Sequence, residues 1–183
     1  MPGLDQSVFH WINGWPEWLR PIFYFLSYAT KLWYGIALLV AVLIFLVRQP
    51  RFRVPVAVAL VGVALSNETC DILKASFQML RPCVAEATLN LRVEKLTSFG
   101  TASAHSANMA AVAAALWFVD RRWGIAWSVI ALLVGLSRIY NGVHYPSQVL
   151  LGWTVGALVS VGLMLATQRW WRAHNTSDEP ERA

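Results

Sequence analysis

Residues 137–149 read Ser-Arg-Ile-Tyr-Asn-Gly-Val-His-Tyr-Pro-Ser-Gln-Val and stand between two long apolar runs, Trp123 to Leu136 and Pro146 to Ala166. Both flanks have the length and apolar character of helices that cross a bilayer. A guanidinium and an imidazole are costly beside hydrocarbon, so Arg138 and His144 at the joint of two spans mark a functional site by default.

Composition points the same way. Of the 183 residues, 57% are hydrophobic and 14% charged, and the mean hydropathy is +0.48. Too little polar surface remains to face water, which excludes an ordinary soluble domain and predicts an all-α, polytopic membrane helix bundle. Length and the lack of repeats suit a single domain over residues 1–183. Arginines and lysines at membrane edges and in an anion pocket account for the formal charge of +5, so no nucleic-acid partner is implied. Cys70 and Cys83 lack framework spacing and read as free thiols. The first cation is Arg20, so the N-terminus lacks the basic start of a cleaved signal and the first span is expected to act as its own anchor.

Outward from the joint, about five spans are expected, or six if the N-terminal segment crosses. Residues 1–21 mix Trp and other apolar groups with Asp5, His10, Asn13 and Glu17, interrupted by Gly14 and Pro16. That mixture predicts helices lying in the interface. The first span runs from about Ile22 to Val47 with Lys31 at its outer edge, and the second from Val54 to Leu73, closed by Asn67, Glu68, Asp71 and Lys74. Residues 78–101 form a loop or short interfacial helix, in which Glu86, Arg92, Glu94 and Lys95 read as solvated. The third span covers about His105 to Val119, the fourth Trp123 to Ile139, and the fifth starts at Pro146, a residue suited to a first helical turn. Gly152 and Gly156 in the fifth predict close packing against another helix of the chain. After Gln168 a tail, residues 169–183, anchors at the interface and ends in a disordered polar terminus.

Arg48, Arg51, Arg53, Arg121, Arg122, Arg169 and Arg172 fall at one end of these spans, which the positive-inside rule makes cytoplasmic. Three polar clusters, 74–82, 103–105 and 137–148, then meet at the outer face. They bring Lys74, Arg81, Ser103, His105, Arg138 and His144. Three cations, a hydroxyl and two imidazoles suit a phosphoryl group, because guanidinium binds its oxygens bidentately and Lys adds a point charge. Ser103 is placed to cap the third span and aim first-turn amides at the same anion. Phosphoryl transfer is mainly positioning and charge neutralisation, which these groups provide without a metal or other cofactor. One histidine would attack phosphorus and the other protonate the departing oxygen.

These residues resemble the type 2 phosphatidic acid phosphatases, which share a helical core with vanadium haloperoxidases and glucose-6-phosphatase. The first family motif, Lys, six residues, Arg-Pro, is matched by Lys74 and Arg81-Pro82. The third, Ser-Arg, five residues, His, three residues, Asp, is matched by Ser137, Arg138 and His144. The second is usually Pro-Ser-Gly-His, and the chain has Ala102-Ser103-Ala104-His105. The resemblance covers about residues 54–165, the expected catalytic core. It implies His144 as nucleophile, His105 as general acid, and Lys74, Arg81, Ser103, Arg138 and the Ala104 amide as phosphate ligands.

Gln148 stands where the family has Asp. That Asp orients the nucleophilic His and stabilises its positive ring, whereas a Gln carbonyl holds the tautomer without negative charge. Weaker catalysis is expected unless Glu68 or Asp71 reaches the site, although Asp71 three residues before Lys74 equally suits a local ion pair. Tyr140 and Tyr145 either line the pocket or sit in an aromatic belt.

The resemblance thus implies a lipid phosphatase of a bacterial cytoplasmic membrane, its site facing the periplasm or outside. Undecaprenyl diphosphate is the first substrate choice. Lipid A 1-phosphate follows, then phosphatidylglycerol phosphate or phosphatidic acid, and transfer to another alcohol remains open. From a different class, a lipid-phosphate binding or transport protein would have lost turnover through Gln148.

Overall fold

The structure is a computed structural model that describes residues 3–175, with side chains described to Trp170. The expected polar terminus lies outside the described residues. Eight α-helices are described: α1 (Leu4–Asn13), α2 (Arg20–Tyr28), α3 (Trp33–Val47), α4 (Pro50–Phe77), α5 (Pro82–Ala85), α6 (Ala104–Trp117), α7 (Arg121–Tyr140) and α8 (Pro146–Asn175). A short 3-10 turn, Glu17–Leu19, precedes α2.

Helix ends fall where local chemistry puts them. Ser103 caps α6 by accepting from Ser106 N, and Asp120 caps α7 by accepting from Arg122 N at 2.9 Å. Pro50, Pro82 and Pro146 each open a helix. Gly142, at φ +81°, makes the turn that ends α7 and points the chain toward α8.

Among the described residues three helices are long and apolar enough to cross a membrane, and a fourth span is reached if α2 and α3 are counted as one bent unit. At 14 residues, α6 is about 21 Å long at 1.5 Å per residue, short of the ~30 Å hydrocarbon core. It nevertheless forms the centre of the bundle, packing on α8, α7 and α4. Its alanines allow this: Ala107, Ala111 and Ala115 are all fully buried. A methyl group on Gly152 would collide with the Ser103 carbonyl, and one on Gly156 with the Ala107 carbonyl. The two glycines therefore serve packing of α8 on α6 inside one chain, as their spacing implies.

The first span departs from expectation. It breaks at residues 29–32, and the two helices are bent by 59°. Apolar residues flank the break on both sides, so a hydropathy average does not reveal it; the polar pair Thr30 and Lys31 occupies it, and Leu32 is extended. Helix α1, about 15 Å long by the same rise, is too short to span. It docks across the end of the bundle where α6 and α8 begin, burying Phe9 against Ile139, Tyr140 and Val149. Asp5 accepts from Ser147 N at 2.8 Å and Ser147 Oγ at 2.6 Å, placing a carboxylate at the positive end of α8. Trp11 on α1 and Trp18 in the following 3-10 turn stay exposed, as an interfacial position favours.

The loop after α5 is a second correction. Glu94 and Lys95 are exposed as expected, but Arg92 is only 7% exposed. Its guanidinium donates to the carbonyls of Tyr140 at 2.6 Å and Asn13 at 2.9 Å, lies 3.9 Å over the Tyr140 ring, and pairs with Glu17. Asn13 and Asn90 also exchange hydrogen bonds, and Asn13 Nδ2 reaches the Tyr140 carbonyl at 2.9 Å. Buried backbone carbonyls at a helix end need donors. Arg92 and Asn13 supply them from two distant segments.

Candidate active site

Four segments converge where α4 ends, α6 and α8 begin, and α7 ends. They bring together His144, Arg81, Gln148, Ser103 and Arg138, each at most 5% exposed, with partly buried His105 and Lys74 beside them. The sequence-predicted residues thus gather at one end of the bundle. Arg51 and Asp120, 3.4 Å apart, mark the other end.

His144 lies in the turn between α7 and α8, its backbone amide bonded to the Arg138 carbonyl. The ring is held at both nitrogens. Nδ1 is 3.0 Å from Gln148 Oε1 and Nε2 is 2.6 Å from Arg81 Nη1. The Gln148 amide nitrogen is committed to the Leu80 carbonyl at 2.9 Å, which fixes its oxygen toward the imidazole. Gln148 Oε1 can only accept, so Nδ1 carries the proton and Nε2 keeps its lone pair. Burial, with the Arg81 and Arg138 charges, holds the imidazole well below its usual range. The ring is neutral, with its lone pair directed at the cations.

Arg81 is anchored by the Ser98 carbonyl at 2.7 Å and the Val143 carbonyl at 3.2 Å. Arg138 is different: it is 5% exposed, its Nε has no partner, and its guanidinium makes no hydrogen bond among the described residues. An unpaired buried cation is several kcal/mol unfavourable unless an anion joins it. Ser103 accepts twice from Ser106, at its amide and its hydroxyl, which fills both lone pairs and leaves the Ser103 proton to donate. The Ala104 amide, at the first position of α6, has no acceptor within its helix. Cation, hydroxyl and amides together form an anion receptor.

Lys74 is bonded to Asp71 at 2.7 Å, so the local ion pair is present. Asp71 is exposed and Glu68 faces outward; neither bonds His144. Tyr140 is core, stacked under Arg92, while Tyr145 donates to Glu86 at 2.7 Å, and Glu86 also meets His10 at 3.2 Å. Burial and the Glu86 carboxylate raise the Tyr145 phenol above its ordinary value, which keeps it a hydrogen-bond donor. Among the described residues no group of three or more His, Cys, Asp or Glu side chains converges to hold a metal ion.

Sequence reasoning missed two parts of this site. Ser27 on α2 bonds both Ser137 Oγ at 2.9 Å and Asn141 Nδ2 at 2.8 Å, backing the segment that carries Arg138. The Asn13–Arg92 clamp backs the same segment from outside. Ser27 lies 110 residues from Ser137 and Asn13 lies 127 from Tyr140, and no local pattern announces such pairs.

The fold and site define a multi-pass helical membrane protein with a histidine held in a buried cationic pocket. A family model described as the PAP2 superfamily matches residues 55–172, and the chain belongs to that family of membrane lipid phosphatases. It is 28% identical over 158 residues to the "Bacitracin transport permease protein BcrC" of Bacillus licheniformis, covering 85% of this chain and 76% of that one. It is 31% identical over 91 residues to an "Undecaprenyl-diphosphatase" of Sulfolobus acidocaldarius, covering 49% and 44%. Among solved structures, LpxE of Aquifex aeolicus superposes with a TM-score of 0.75 at 25% identity, over 87% of this chain and 94% of that one.

Proposed function

We propose that this chain removes a phosphoryl group from a lipid phosphate or diphosphate through a phosphohistidine on His144, without a metal, at the outer face of a bacterial cytoplasmic membrane. The observation that carries the reading is the buried, unpartnered Arg138 guanidinium next to a neutral histidine whose Nε2 lone pair faces the same pocket. Nε2 attacks phosphorus as the bond to the leaving oxygen breaks, and His105 supplies that oxygen with a proton. Water then attacks the phosphohistidine, giving its proton to His105 and freeing phosphate and the ring. Arg81, Arg138, Lys74, Ser103 and the Ala104 amide neutralise the equatorial oxygens throughout.

The arginines at the far end support an outward-facing site through the positive-inside rule. Undecaprenyl diphosphate is the favoured substrate, supported by the name of the Sulfolobus relative. Lipid A 1-phosphate, phosphatidylglycerol phosphate and phosphatidic acid are the alternatives. The neutral Gln148 beside His144 favours a second reading, a protein that binds lipid phosphates without turning them over.

Phosphate release by the detergent-purified protein from these lipids, in the presence of a chelator and beside His144→Ala, tests the proposal. Release from one lipid that disappears in the variant supports catalysis and identifies the substrate. Binding without release from any lipid favours the second reading.

A further inference from the structure

One carboxylate joins three parts of the outer end of the bundle. Glu86, expected in solvent, has a side chain only 14% exposed. Its Oε1 accepts from the Tyr145 hydroxyl at 2.7 Å and from Gln6 Nε2 at 3.3 Å, and its Oε2 lies 3.2 Å from His10 Nε2. Gln6 and His10 belong to α1, whereas Tyr145 directly follows the proposed nucleophile His144.

The same carboxylate is tied to Arg81. Arg81 caps the start of α5 and Glu86 its end, with the Ala85 amide bonded to the Arg81 carbonyl and the Glu86 amide to the Pro82 carbonyl, each at 2.9 Å. One helical turn therefore fixes the spacing of the two residues. From Tyr145 the path returns to the site through its backbone amide, which donates to Gln148 Oε1 at 3.2 Å, the oxygen that also meets His144 Nδ1 at 3.0 Å. An amide oxygen has two lone pairs, so Tyr145 takes one and leaves the other to the imidazole. Arg81 Nη1, 2.6 Å from His144 Nε2, closes these contacts into a ring.

We propose that Glu86 is a positioning residue for the phosphatase reaction. Through Tyr145 it holds the turn that carries His144 against the segment that carries Arg81, so that Nε2 and the guanidinium keep their mutual geometry during transfer. This inference rests on the phosphatase reading above. Misplacement by about 1 Å costs on the order of 100-fold in rate when reacting groups must be aligned. A carboxylate that only staples α1 to the loop is the bland alternative. The bond to Tyr145, shorter than either contact with α1, and the adjacency of Tyr145 to His144 favour positioning.

The test measures kcat and KM for farnesyl diphosphate in detergent with the full-length chain, each variant being checked for folding by its unfolding temperature. Glu86→Ala and Tyr145→Phe are each expected to lower kcat about tenfold while KM changes less than about threefold. Combined, they lower it no further than either alone, because both remove one contact. Glu86→Gln keeps an acceptor for the Tyr145 hydroxyl and holds kcat within about threefold of wild type, and His10→Ala, which frees only the α1 side, stays in the same range. If Glu86→Ala does not fold, Tyr145→Phe carries the same expectation. A kcat within about threefold of wild type in Tyr145→Phe, a loss confined to KM, multiplying losses in the combined variant, or an equal loss in His10→Ala overturns the proposal and leaves a staple for α1. A wild type that turns over no farnesyl diphosphate counts against the phosphatase reading alone, and the ring-nitrogen NMR signals of His144 then decide the positioning role. Signals that move in Tyr145→Phe and stay in place in His10→Ala sustain it; any other pattern overturns it.

Discussion

Arg81 Nη1 lies 2.6 Å from His144 Nε2, so the guanidinium donates to the same lone pair that the phosphohistidine mechanism uses for attack. The cation thus covers the nitrogen proposed as the nucleophile. In the proposed mechanism a phosphoryl oxygen takes over this hydrogen bond from Arg81 and so frees Nε2 for attack. Arg81→Lys keeps the charge but loses the planar fork that can bind phosphate while anchored to Ser98. The expected loss in kcat/KM is about 100-fold or more, in the range seen when one charge-stabilising donor is removed. Steady-state kinetics on the lipid identified as substrate would show it, and a loss under about threefold would remove Arg81 from the mechanism.

Gln148 fixes the His144 tautomer but offers a neutral oxygen to a ring that becomes positive after attack. Replacing it with Asp places a carboxylate at the same nitrogen. Single-turnover phosphate release in Gln148→Asp is expected to rise about tenfold, while Gln148→Ala, which also releases the Leu80 carbonyl, falls by a similar factor. Equal or slower release in Gln148→Asp would show that the neutral amide is matched to this site.

The pH profile follows from the same contact. Burial and two guanidinium charges hold His144 below its usual range, so the neutral ring persists as pH falls below about 6.5, the ordinary imidazole value. The acid limb of kcat/KM assigned to His144 is expected well below that value. A carboxylate at position 148 stabilises the charged ring and moves the limb to higher pH. A limb that stays in place in Gln148→Asp would mean that another group controls it.

Much of this site is legible from the chain because its motifs are local. Lys74 to Arg81, Ser103 to His105 and Arg138 to Gln148 each span at most eleven residues, and helix periodicity with Pro146 and Ser103 as start signals carries them to one end of a bundle. Gly152 and Gly156 announce their own packing because only a missing side chain allows α8 so near α6. The break in the first span is not legible, since apolar residues flank it on both sides and one lysine at a membrane edge is ordinary. Arg92 misleads for a different reason: a charged residue in a polar loop normally faces water, and its acceptors, the Tyr140 and Asn13 carbonyls, are backbone atoms without sequence identity.

That clamp predicts a stability effect with a functional echo. Arg92→Ala removes one of the two side-chain donors from each of the Tyr140 and Asn13 carbonyls and takes a cation from the Tyr140 ring, for a cost of about 1–3 kcal/mol. The Glu17 pair adds little because its carboxylate is 65% exposed. Thermal unfolding in detergent should shift down by several degrees, and kcat should fall because Tyr140 ends the helix that carries Arg138. An unchanged unfolding temperature would contradict the clamp.

In the proposed mechanism His144 carries the phosphoryl group. A lipid diphosphate labelled in its terminal phosphoryl group, mixed with enzyme and quenched in alkali within one turnover, tests it most directly. Label is expected on the protein, stable to alkali and labile to acid, mapped to His144 and absent from His144→Ala, with higher yield in His105→Ala if the intermediate there is hydrolysed slowly. Turnover that leaves both wild type and His105→Ala unlabelled, or label that survives in His144→Ala, would contradict it.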